Sequence, residues 1–115
     1  MRAELKEISA DEVDIRFYVP DEPECFFITL RLRIGAEDSD SGDDFEIFVC
    51  TPTWLERNIW EPMWGRHFLI VRAFNYQSIA DTIIKGVSRC EGESWLEVAG
   101  KLARFYAWEF EDYQA

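Results

Sequence analysis

The chain has 115 residues, a length that fits one domain able to bury a core without disulfide bonds. Its 23 acidic and 12 basic residues give a formal net charge of −11, which disfavours nucleic acid and anionic lipid as partners and favours a basic protein. Hydrophobic residues make up 48% of the sequence and aromatic residues 16%, so the composition is not that of a disordered chain and predicts a core rich in rings. Solubility alone would also account for the excess of acid, so the charge leaves both interpretations open.

The sequence contains no targeting or membrane-spanning signal. Residues 1–8 carry charges and no long apolar run, and no later segment approaches the roughly 20 apolar residues that a membrane span needs. We therefore predict a cytoplasmic protein that has no membrane partner.

Four segments have the pattern of strands, namely residues 3–8, 26–34, 45–50 and 66–74. The second and third alternate between apolar and other residues, and each has one apolar face: Ile28, Leu30, Leu32 and Ile34 in the second, and Phe45, Ile47 and Val49 in the third. The fourth is a nearly continuous apolar run, which predicts a well-covered strand that pairs antiparallel to a neighbour.

Two helices are indicated by their start signals. Pro52 lacks an N–H and suits the first turn of a helix, with Thr51 as its N-cap, and we expect this helix to end near Trp60. Asn75 is a good N-cap for a second helix, which should end near Cys90.

A third helix is indicated by Ser94 and Glu97, which have the Ser-x-x-Glu spacing of a capping box. The apolar pattern continues past residue 105, so this helix is predicted to run nearly to the end of the chain. Glu109, Glu111 and Asp112 would then lie at its C-terminal end, where the helix dipole favours cations rather than acids.

These elements predict an α+β domain with the order β-β-β-α-β-α-α. The four strands would form an antiparallel sheet, and the helices would pack on one of its faces. No repeat or linker divides the chain, so residues 1–115 are expected to form a single domain.

No catalytic or metal-binding signature occurs in the sequence, since a Gly-rich phosphate loop, a nucleophile elbow and a metal-ligand set are all lacking. His67 is the one histidine and has no Ser or Cys at motif spacing, so it is interpreted as a structural residue rather than a base. Asp38 and Asp40 have the alternating spacing of an EF-hand loop, but Val49 stands where the closing Glu is required. We therefore expect no enzyme activity, no metal and no cofactor.

The three cysteines, Cys25, Cys50 and Cys90, are widely spaced and odd in number. This pattern predicts reduced, buried thiols rather than a disulfide framework.

Two loops carry the residues best suited to bind a partner protein. Residues 35–44 contain five acids and no base, which predicts a solvated, mobile loop between two strands of an antiparallel hairpin. Residues 59–65 carry large rings on a connection that should lie outside, and these rings either fold back on the core or bind a partner. The candidate partner-binding residues are Asp40, Asp43, Asp44, Trp60, Glu61 and Trp64.

Four segments of the chain carry a family resemblance: DFEIFVCTPTWL at residues 44–55, GRHFLIV at 65–71, SWLEVAGKL at 94–102 and WEF at 108–110. Together they resemble the bacterial family called immunity protein 8. The resemblance implies a small cytoplasmic protein of a polymorphic toxin system, encoded beside a toxin, that binds the toxin domain and neutralises it by stoichiometric contact. It implies no catalysis, and it transfers no binding residue to this chain.

Two functional hypotheses follow. The first is an inhibitor of a cognate toxin domain, which the charge suggests is basic. The second is an acidic protein-interaction module, or a structural subunit of an assembly unrelated to toxins. A toxin gene immediately upstream would favour the first hypothesis.

Overall fold

The structure is a computed structural model that describes residues 1–111, and these form a five-stranded sheet and three helices. The elements in chain order are β1 (Ala3–Ser9), β2 (Phe27–Ala36), β3 (Asp43–Cys50), α1 (Pro52–Asn58), β4 (Phe68–Ile70), α2 (Tyr76–Ser88), α3 (Trp95–Leu102) and β5 (Ala107–Trp108). The α+β class and the predicted order of the first seven elements are confirmed.

The first three strands form an antiparallel meander in the order β1-β2-β3. Leu30 of β2 lies opposite Ile47 of β3, so the apolar faces predicted for these two strands coincide. Every residue of those two faces is buried, which confirms the alternation seen in the sequence.

The fourth strand differs from the prediction. It is three residues long, lies at the edge of the sheet and pairs parallel to β3, with Phe68 opposite Phe48. A parallel neighbour needs a crossover connection, which α1 and the following loop provide. The sheet is therefore mixed rather than purely antiparallel, and Ile70 at this edge is 53% exposed.

The last helix is also shorter than predicted. It ends at Leu102, and the chain then turns and adds β5 to β3, with Trp108 opposite Phe45. The predicted acidic helix end is therefore wrong for Glu109 and Glu111, while Asp112 lies outside the described residues. This turn leaves Tyr106 buried beside Phe45 of β3, with ring centroids 6.5 Å apart.

The core lies between α2, α3 and one face of the sheet. Ile79, Ile83 and Val87 of α2 and Val98 and Leu102 of α3 are all buried in one cluster with the apolar face of β2 and β3. Their spacing of four residues follows the helix period, so each helix presents one apolar stripe to the sheet.

The first helix packs on the opposite face. Trp54 of α1 stacks on Phe27 of β2, with ring centroids 4.6 Å apart, and Phe27 lies opposite Cys50 on the face that α2 and α3 leave uncovered. The prediction that helices cover one face therefore holds for α2 and α3 and not for α1.

The predicted N-caps are confirmed. The side chains of Thr51, Asn75 and Ser94 accept hydrogen bonds from backbone N–H groups in the first turns of α1, α2 and α3. The capping box differs in one detail, since the carboxylate of Glu97 accepts from the backbone N–H of Glu93 rather than from that of the cap residue.

Candidate functional site

The acidic loop between β2 and β3 is short and ordered by its own contacts. The strands extend into the predicted loop at both ends, which leaves residues 37–42 as the connection. Gly35 of β2 lies so close to this connection that a Cβ there would overlap the carbonyl oxygen of Ser41. The hydroxyl of Ser39 accepts from the backbone N–H of Ser41 at 3.1 Å. Asp40 is exposed in this loop.

Asp43 is half-buried at the start of β3. Its Oδ2 accepts hydrogen bonds from the indole N–H groups of Trp95, at 2.8 Å, and Trp108, at 2.9 Å. The residue therefore joins three elements of the fold, a structural role that the sequence pattern did not predict.

Asp44 lies on the uncovered face of the sheet, opposite Arg33 of β2. The two side chains form an ion pair at 3.8 Å, and the backbone N–H of Asp44 donates to the carboxylate of Glu109 at 2.9 Å. Acidic side chains thus gather where β3 begins and where the chain leaves β5.

The second candidate segment is the loop of residues 59–67, which we call the tryptophan loop. Trp60 is 83% exposed and Trp64 is 94% exposed, and Glu61 between them is exposed as well. Of the two possibilities left open by the sequence, these rings do not fold back on the core.

Four aromatic side chains form a cluster at one end of the uncovered sheet face, which we call the aromatic cluster. Phe27 and Phe48 stack at 5.9 Å, and Phe48 lies 5.3 Å from Phe68. Trp54 covers this group from α1. The sequence carried a signal for it, because Phe27 and Phe48 are apolar residues on the faces that β2 and β3 otherwise fill with polar side chains.

The aromatic cluster holds both ends of the tryptophan loop. Trp54 lies in the helix before the loop, and Phe68 is the first residue of the strand after it. Trp60, Glu61 and Trp64 lie between these two elements along the chain. Asp40 lies in the separate β2–β3 connection.

His67 enters β4 with a φ of 65°, a left-handed conformation. Its Nε2 lies 3.1 Å from the carbonyl oxygen of Ala103, and its own carbonyl oxygen accepts from the backbone N–H of Phe48. The residue therefore links the tryptophan loop to the end of α3, as a structural residue would.

The cysteines are free thiols. Cys50 and Cys90 are buried as predicted, while Cys25 is only partly covered. Burial raises the pKa of the Cys50 and Cys90 thiols, which favours their protonated forms.

Within residues 1–111, no helix has the length and apolar character needed to cross a membrane.

Comparison with known proteins identifies the family. No curated protein and no solved structure matches the chain. A family model described as Immunity protein 8 matches residues 3–113, which covers every strand and helix named above. This protein belongs to the immunity protein 8 family.

Proposed function

We propose that this protein binds a cognate toxin domain and neutralises it by stoichiometric contact. The family membership supports this proposal, since an immunity protein of the toxin–immunity type has a toxin as its partner. The proposed mechanism requires occlusion of the toxin and no turnover. The protein would act in the cytoplasm, without a cofactor, as a binding protein rather than an enzyme.

The main observation in favour of the proposed contact surface is that the side chains of Trp60 and Trp64 are exposed. Two indoles that are 83% and 94% exposed present a large apolar area to water. Tryptophan is among the residues that most often dominate binding energy when a partner covers them. The aromatic cluster joins the two elements that flank the tryptophan loop, which supports the proposal by restricting where the loop begins and ends.

Charge favours a basic partner. Asp40 and Glu61 in the two loops and Asp44 at the start of β3 supply acidic groups, within a chain whose formal net charge is −11. Acidic groups at the rim of an interface attract a basic domain over long range and speed its association. Asp43 would contribute indirectly, by fixing the start of β3 through its two indole contacts.

The proposal is tested with the cognate toxin domain, whose gene is to be sought immediately upstream of this one. Purified protein and an inactivated toxin domain should form a 1:1 complex in size-exclusion chromatography with light scattering. Co-expression with the active toxin should restore growth. Trp60→Ala/Trp64→Ala should weaken both effects.

The matched control is Leu96→Ala, because Leu96 is a large apolar residue of α3 that is 70% exposed and lies outside both loops. This variant should bind and protect as the wild type does. Absence of any complex with the neighbouring toxin would contradict the proposed function and would favour an acidic interaction module or an assembly subunit.

A further inference from the structure

A basic cleft lies between α2, α3 and the start of β4, with a volume of about 710 Å³. Among the described residues, those that line it include no acid, although the whole chain carries 23 acidic residues. Five of the lining residues are cationic, namely Arg66, Lys85, Arg89, Lys101 and Arg104. The local charge is therefore opposite to the net charge of the protein.

The cations of α2 reach the cleft because of their helical spacing. Thr82, Lys85, Gly86 and Arg89 follow one another at intervals that place them on one helix face, and all four line the cleft. Arg104 comes from the turn after α3 and faces the same space. Two elements that pack together thus bring like charges to one place.

Three of these cations have no partner within residues 1–111. The side chains of Lys85, Arg89 and Arg104 form no ion pair and no hydrogen bond there. The other two are already engaged, since Arg66 pairs with Glu111 and Lys101 donates to the carbonyl oxygen of Glu91 at 2.6 Å. Like charges that share a cleft repel each other, and a bound anion would remove that cost.

A neutral hydrogen-bond donor completes the cleft. Tyr106 is only 4% exposed, and its hydroxyl lies against Gly86, where an added Cβ would come within 3.0 Å of it. Within the described residues this hydroxyl forms no hydrogen bond, and because no buried side-chain oxygen there lacks a partner, the hydroxyl must be accessible to solvent. Burial raises the pKa of Tyr106 to about 12, so the phenol keeps its proton at neutral pH.

The lining also contains an apolar wall. Ile47 and Leu69 from the sheet and Phe105 beside Tyr106 contribute to it. A combination of an apolar wall with a few converging polar groups, in a volume of several hundred Å³, is typical of a small-molecule site.

We propose that this cleft binds a small organic molecule that carries a phosphate or diphosphate group. Arginine and lysine are the side chains that bind phosphate most strongly, through charge-assisted hydrogen bonds, and Arg89 and Arg104 are placed to supply them. The phenol of Tyr106 adds a donor, and the apolar wall contacts the organic part. This site goes beyond the proposed toxin binding, and it adjoins the tryptophan loop, because Gly65, Arg66 and His67 form part of its lining.

The test uses the isolated protein, so its outcome does not depend on the toxin. Inorganic pyrophosphate is titrated at constant ionic strength, with chloride as the replaced anion, while the amide resonances of Gly86, Arg89 and Arg104 are followed by NMR. We expect saturable shifts at these residues. Phenyl phosphate should bind more tightly than inorganic phosphate, because its ring contacts the apolar wall.

Lys85→Gln/Arg89→Gln should weaken pyrophosphate binding by about tenfold or more, since it removes two charge-assisted contacts. Both residues are exposed, so the variant should keep its fold, which a thermal melt verifies. Arg72→Gln is the matched control, because Arg72 is an exposed cation outside the cleft and should leave the affinity unchanged.

Tyr106→Phe provides a second variant that keeps the ring and removes only the hydroxyl. It should weaken pyrophosphate binding by about threefold or more, the value of one lost hydrogen bond. Shifts that never saturate, or a double variant that binds as tightly as the wild type, would overturn the proposed anion site. Equal binding of phenyl phosphate and inorganic phosphate would overturn the organic part of the proposal.

Discussion

The indole N–H of Trp95 donates a 2.8 Å hydrogen bond to Oδ2 of Asp43, which joins the first residue of α3 to the first residue of β3. The same oxygen accepts from Trp108 of β5, so one carboxylate connects three elements that are distant in sequence. The sequence placed Asp43 in a solvated acidic loop, whereas in the structure it begins β3 and links that strand to α3 and β5.

Asp43→Ala is therefore expected to lower the free energy of unfolding by about 1–3 kcal/mol, because it leaves two half-buried indole donors without their acceptor. Asp43→Asn keeps one oxygen that can accept from both indoles and should cost clearly less. Urea denaturation followed by tryptophan fluorescence measures both values. Equal losses in the two variants would show that charge, and not the hydrogen bonds, matters at this position.

Core packing gives a second prediction. Leu30 of β2 and Leu102 of α3 are fully buried in the same cluster, so Leu30→Ala and Leu102→Ala should each lower the free energy of unfolding by about 2–5 kcal/mol. The control Leu96→Ala, at an exposed position of α3, should change it by less than about 0.5 kcal/mol. Losses below about 1 kcal/mol for the two buried positions would contradict the assigned packing.

Local signals in the sequence predicted the parts of the fold that depend on neighbouring residues. The alternation around Leu30 and the N-caps Asn75 and Ser94 are such signals, and the structure confirms them. An apolar run indicates that a strand is buried but does not indicate its direction. The parallel pairing of Phe68 with Phe48 therefore could not be predicted from the apolar run at residues 66–74. That pairing depends on the path of the preceding seventeen or so residues through α1 and the loop.

The end of α3 depended on tertiary contacts in the same way. Tyr106 and Trp108 continue an apolar pattern that a helix would also have, yet they are buried through a turn and a strand that pairs with Phe45. Sequence reasoning likewise placed Asp43 with exposed acids because its two indole partners lie 52 and 65 residues away along the chain. The exposure of Trp64 was left open for a similar reason, since an aromatic side chain in a loop can either pack on the core or contact a partner.

The titration of Tyr106 provides a pH-dependent prediction. Burial raises its pKa from an ordinary value of 10.0 to about 12, so the folded state favours the neutral phenol. Below pH 10 the phenol is protonated in both states and this contribution to stability is fully present. As the pH rises from about 10 to 12 only the unfolded state ionises, so the stability of the wild type should fall by about 1.4 kcal/mol per pH unit from this residue.

Tyr106→Phe has no phenol at this position and isolates the effect. The difference in free energy of unfolding between wild type and variant, measured by urea denaturation at several pH values, should shift against the wild type only above about pH 10. A difference that stays constant up to pH 11.5 would contradict the expected role of burial.

Hydrolase activity is expected to be absent. The Nε2 atom of His67 lies 3.1 Å from the carbonyl oxygen of Ala103, so this ring nitrogen is already occupied by a backbone contact. Purified protein should therefore show no turnover of ester, phosphodiester or peptide substrates. His67→Asn serves as the control, since asparagine tolerates the same backbone conformation. Reproducible turnover that is lost in this variant would contradict the prediction.

The last prediction distinguishes the effect of the acidic side chains on toxin binding from the effect of the tryptophan rings. Asp40→Asn/Asp44→Asn/Glu61→Gln removes exposed or half-exposed acids and leaves Asp43 in place. Because such groups act through long-range attraction, this variant should mainly slow association with the cognate toxin domain and flatten its dependence on salt. Surface plasmon resonance at several salt concentrations measures both effects.

Trp64→Ala should instead change the rate at which the complex with the toxin dissociates. An indole that is 94% exposed in the free protein contributes little to folding, so its removal should leave the thermal stability unchanged. If the toxin covers the ring, dissociation should become faster by about thirtyfold or more, which corresponds to about 2 kcal/mol. Leu96→Ala, with similar exposure on α3, should change neither rate. Unchanged dissociation for Trp64→Ala together with unchanged association for the charge variant would place the toxin contact on a different surface of the protein.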